Sequence, residues 1–126
     1  MTISFISLII TFKILVTLVL VGLPFLVMSK TRLERISGVT AVSPAFFRLY
    51  GIAIVALLIG YATAFPLIQE GQFPWGVAIM GAASNGGASL VLIQGAKQVF
   101  VPIYASIFVG LVVCMKWPEL AMASLT

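Results

Sequence analysis

The chain has 126 residues, of which 62% are hydrophobic and only 8% charged, and its mean hydropathy is +1.24. A soluble domain carries roughly a quarter of its residues as charges, so this composition excludes an ordinary soluble fold and leaves apolar surface meant for lipid. The net charge of +4 lies on basic residues that flank apolar runs, which points to membrane orientation and away from nucleic acid.

The length allows a single domain, residues 1–126. The first apolar run, Ile3 to Met28, is broken only by Lys13. It exceeds the roughly 7 to 15 apolar residues of a signal peptide, no basic residue precedes it, and no small-x-small cleavage site follows. A retained helix is expected. A connection, Ser29 to Pro44, carries Lys30, Arg32 and Arg35. The second run, Ala45 to Ile68, opens on Ser43-Pro44, a capping residue followed by a residue without an N–H that suits the first helical position.

The segment Ser43-Pro44-Ala45-Phe46-Phe47-Arg48-Leu49-Tyr50-Gly51 resembles the start of the second helix in small, uncharacterised bacterial inner-membrane proteins with four helices. The likeness covers mainly the first two helices. It implies a bacterial inner-membrane location and no particular activity.

Gln69 to Pro74 is polar and contains Gly71 and Pro74, the composition of a tight hairpin loop. The third run, Trp75 to Ile93, holds small residues in its middle. Ala78, Ala82 and Gly86 form a stripe at four-residue spacing, with Ala83 and Gly87 beside it, so this helix is expected to be the central packing helix. Gly95, Lys97 and Gln98 mark its last turn. The fourth run, Val99 to Met115, has 17 residues with Pro102 near its start, and Trp117-Pro118-Glu119 ends it at an interface.

Four runs separated by one connection of moderate length and two short ones predict an all-α, up-down bundle of four transmembrane helices, about 3–28, 45–68, 75–93 and 99–115. Lys30, Arg32, Arg35, Arg48 and Lys97 fall on one side, against Lys116 alone on the other. That asymmetry places the first and third loops in the cytoplasm and both termini outside.

Reactive constellations are missing from the sequence. It contains no His, a lone Cys114, and three acidic residues, Glu34, Glu70 and Glu119, that fall in loops or the tail. No nucleophilic dyad, imidazole metal site or paired carboxylate relay can be assembled from these, and no enzyme activity, cofactor or metal is expected. The glycine-rich stretch of the third helix lacks the Lys-Ser/Thr pair of a phosphate loop and the strand context of a dinucleotide fingerprint.

Lys13 is the unusual residue, because a lysine at the centre of a membrane helix costs on the order of 2.5 to 3.5 kcal/mol. Asn85 lies at a similar depth in the third helix. With Ser84 they form a candidate intramembrane polar site for an ion, a head group or a partner's carboxylate; the competing expectation is a snorkelling lysine and an asparagine that glues helices. The cluster Lys30, Arg32, Arg35, Arg48 and Lys97 is a candidate contact for anionic lipid or an acidic partner, and plain topology also accounts for it. Trp75, Phe73, Trp117, Tyr50 and Phe100 lie near helix ends as an interfacial belt would, whereas Tyr61 and Tyr104 lie deeper and are expected to donate to neighbouring helices. The expected role is a non-enzymatic accessory or structural subunit of a larger membrane complex, respiratory or photosynthetic, in contact with lipids and other membrane subunits. The alternative is a small transporter or channel, in homo-oligomeric form, that uses Lys13 and Asn85.

Overall fold

The computed structural model describes residues 3–95 and 98–126, and among these the structure is helical throughout apart from turns and one isolated bridge. Helix α1 spans Phe5–Val27. Ser4 and Ser7 form a reciprocal cap at its start, each hydroxyl accepting from the other residue's backbone N–H. Its middle, Leu18–Gly22, widens into a π-helical turn in which the Leu23 N–H donates to the Leu18 carbonyl. Pro24 supplies the reason: it has no N–H for the carbonyl four residues back, and its ring crowds that carbonyl, so the ladder shifts register just before it.

The connection after α1 is more ordered than its sequence suggests. It contains helix α2, Lys30–Ser37, which turns its one buried residue, Leu33, inward and stops at Gly38, whose φ of 73° is the left-handed conformation glycine adopts without cost. Glu34 lies on this helix, where the Lys30 ammonium approaches it at 3.5 Å and the Ala41 N–H donates to it at 3.0 Å.

Helix α3 spans Pro44–Gln69, begins with Ser43 accepting from the Ala45 N–H, and is interrupted at Thr63 three residues before Pro66. A turn through Gly71, φ 75°, leads to helix α4, Trp75–Gly95. Helix α5, Val101–Lys116, has 16 residues. Trp117 breaks the helix, and Pro118 opens a further short helix, α6, Pro118–Met122, so Glu119 sits in a first helical turn and not in a tail. Three helices, α1, α3 and α4, are long and apolar enough to cross a membrane, and α5 is apolar but shorter.

Each long helix runs antiparallel to the next. Gly22 of α1 packs near Val55 of α3, Gly60 of α3 near Met80 of α4, and Gly81 and Gly86 of α4 against Leu111 and Phe108 of α5. Both described termini meet at one end, where the Leu125 N–H donates to the Ile3 carbonyl. The α3–α4 turn lies at this same end, called here the hairpin end; α2 lies at the opposite, basic end. The main core cluster, including Ile6, Ile10, Leu58, Ala64, Ile68 and Cys114, gathers toward the hairpin end.

Candidate functional site

Lys13 is 3% exposed, and Asn85 and Tyr61 are fully buried. Lys13 Nζ donates to Asn85 Oδ1 at 2.8 Å. Because an ammonium can only donate, the amide oxygen must face it, and the amide nitrogen is turned the other way. There Asn85 Nδ2 donates to the Tyr61 hydroxyl at 3.0 Å and to the Gly81 carbonyl at 2.7 Å. The Tyr61 and Ser84 hydroxyls lie 3.2 Å apart, and Ser84 Oγ donates onward to the Gly81 carbonyl at 3.2 Å. Ser89 closes the lower side by donating to the Asn85 carbonyl at 2.8 Å. A continuous polar network therefore joins α1, α3 and α4.

The ammonium also lies 4.9 Å from the centre of the Tyr104 ring and 5.8 Å from that of Tyr61. A desolvated cation over aromatic faces gains up to about 2 kcal/mol, which offsets part of the cost of its burial. Tyr104 brings α5 into the same site, so all four long helices contribute a side chain. Among the described residues no group of three or more His, Cys, Asp or Glu is placed to hold a metal.

Depth is the signal that finds Tyr61 and Tyr104 from sequence. At about 1.5 Å per residue, counted from each helix terminus at the hairpin end, Lys13, Tyr61, Asn85 and Tyr104 lie at about 12 to 18 Å. Treating each tyrosine as a single deep aromatic, without aligning depths across helices, misses that they form one layer.

The network needs close approach, and small residues allow it. Ala78 and Ala82 are buried, and a Cβ on Gly86 would lie 3.0 Å from the Phe108 ring. The tightest point falls between these positions: a Cβ on Gly81 would meet Leu111 at 2.5 Å and the Tyr61 hydroxyl at 2.8 Å. Gly87, by contrast, faces open space.

The basic residues divide in use. Arg48 donates to the Phe25 carbonyl at 2.7 Å and the Met28 carbonyl at 2.7 Å, so it caps the end of α1, where carbonyls lack helical partners. Gly51, one turn later on α3, lets Leu26 of α1 approach closely. Lys30 pairs with Glu34 on α2, and Arg32 and Arg35 are exposed. Lys97 lies outside the described residues.

Toward the basic end α3 and α4 are separated by a cavity of about 650 Å³. Its walls are apolar, with Val21 from α1, Phe47 from α3, and Ala88 and Val91 from α4, and it reaches Ile36 and Ser37 on α2. Tyr50 and Tyr104 also line it. Comparison with family models, characterised proteins and solved structures finds no match for this chain.

Proposed function

We propose that the chain is a non-enzymatic integral membrane protein, a four-span up-down bundle of a bacterial inner membrane, that serves as an accessory or structural subunit of a larger membrane complex. The observation that carries this is the Lys13–Asn85–Tyr61–Ser84 network: these four side chains are spent on one another across helices, as a scaffold requires. The apolar surface supports membrane insertion, since only 22% to 39% of the best window in each long span is buried within the chain. Helix α5, about 24 Å long at 1.5 Å per residue, crosses with local thinning of the bilayer and Trp117 at its interface. The basic end faces the cytoplasm and both termini the other side.

Resistance to alkaline extraction and purification in mild detergent test the proposal together. Retention in the membrane with a stoichiometric partner supports it, and a homo-oligomer without one refutes the subunit role. Reporter fusions after Thr126 and within residues 69–73 should read outside, and a fusion at Ser37 should read inside; the reverse pattern removes the orientation.

One observation favours the transporter reading. The Lys13 ammonium has three donors and a single oxygen acceptor, so it retains capacity for an anion. Anion flux through proteoliposomes that disappears in Lys13→Met would replace the subunit proposal.

A further inference from the structure

Three features of the cavity at the basic end bear on what it can hold. Its volume lies within the roughly 300 to 1,000 Å³ typical of small-molecule sites, and its lining is mainly apolar. Tyr50 and Tyr104, however, bring phenolic hydroxyls to it, and among the described residues neither hydroxyl has a hydrogen-bond partner. A phenol in apolar surroundings needs an acceptor, so the occupant should carry an oxygen at that level. The third feature is charge at the mouth. Ile36 and Ser37 of α2 border the cavity, and Arg32 lies one turn before Ile36 on the same flank of that helix, with Lys30 nearby. Arg32 is exposed, whereas Arg48 is bound to the carbonyls of α1.

We infer that this cavity is a binding site for an anionic phospholipid, with one acyl chain between α3 and α4, an ester carbonyl accepting from Tyr50 or Tyr104, and the phosphate against Arg32 at the basic end. Apolar walls, uncharged donors and a basic rim are the three surfaces that the chain, ester and phosphate of a phospholipid require. Tyr50 lies about 9 Å along α3 from Pro44, at roughly 1.5 Å per residue, which is below the rim where a phosphate would sit. A quinone would satisfy the phenols and the walls, but it has no anionic group for the rim. The inference rests on the membrane reading above.

The full chain is reconstituted in vesicles of equimolar phosphatidylglycerol and phosphatidylcholine, re-extracted in mild detergent, and examined by native mass spectrometry. Phosphatidylglycerol should be retained at one per chain in preference to phosphatidylcholine. Arg32→Gln should reduce that preference about fivefold while leaving total lipid retained. Ala88→Phe should remove bound lipid of both kinds, and Val91→Phe, on an exposed wall position that folding tolerates, should do the same if Ala88→Phe lowers folded yield. Absence of retained lipid, equal retention of the two lipids, or undiminished retention in the folded cavity variants overturns the inference, as does displacement of the lipid by an added ubiquinone. A chain that resists alkaline extraction yet retains no lipid defeats this inference alone; one released by alkali defeats the membrane reading beneath it.

Discussion

The two ends of the molecule solve different problems with the same four helices. From the hairpin end to mid-span the helices converge: Gly81 lets Leu111 and Tyr61 approach, and a buried cation is held by an amide and two aromatic rings. At the basic end α3 and α4 part around a cavity, and α1 is tied to α3 by Arg48 on its terminal carbonyls. The π turn of α1 lies between these regions, and its Leu20 and Val21 line the cavity. One end is specified by polar satisfaction and small residues. The other keeps space, and its charge works at the rim and at a helix end.

The largest effect should come from removing the amide that faces Lys13. Asn85→Leu leaves a buried ammonium with no oxygen acceptor and should cost about 3 kcal/mol, the loss expected when a buried charged donor is deprived of its hydrogen-bond acceptor. Thermal unfolding in detergent measures it; a change below about 1 kcal/mol would mean the ammonium reaches water and the hairpin end is not closed. Next in size is the contrast between two glycines of α4. Gly81→Ala forces Leu111 and Tyr61 apart and should cost about 1 to 3 kcal/mol, while Gly87→Ala meets nothing and should be neutral or slightly stabilising in a helix. Equal tolerance at both positions would erase the difference between the two ends.

Much of this architecture is legible in the residues, and some is not. Helix boundaries follow from capping and proline chemistry at Ser43-Pro44 and Pro74, which act locally. The shared depth of Lys13 and Asn85 follows from counting residues, and the structure joins the two side chains. The tightest contact was not legible: a four-residue stripe through Ala78, Ala82 and Gly86 marks a helix face, but which small residue meets a neighbour depends on helix rotation and crossing, which put Gly81 there. Arg48 looks from sequence like any other positive-side charge, because the carbonyls it caps belong to α1, 20 and 23 residues earlier. The cavity is invisible for the same reason, since sequence fixes helix length and not the splay between helices.

A smaller effect should mark the basic end. Arg48→Gln removes charge-assisted donors from the last turn of α1, but the site is only partly buried and water can replace part of what is lost. A loss of about 1 kcal/mol is expected, with faster amide exchange confined to residues 23–28 and none near Asn85. Exchange that spreads to the hairpin end would show that the two regions unfold as one unit.

Smallest of all should be the effect of Lys13→Met, and its sign separates the two sides of the polar pair. Losing the ammonium orphans Asn85 Oδ1, a buried acceptor, at a cost of about 1 to 3 kcal/mol. It also removes a desolvated charge worth on the order of 2.5 to 3.5 kcal/mol in the opposite direction, while methionine keeps the unbranched stem. The terms nearly cancel, so the isolated chain should change by less than about 1 kcal/mol. Asn85→Leu has no such compensation, which makes the pair asymmetric: the double variant Lys13→Met with Asn85→Leu should be more stable than Asn85→Leu alone, because the orphaned charge is then gone. A double variant no better than Asn85→Leu would show that the amide matters through Tyr61 and Gly81 and not through the lysine.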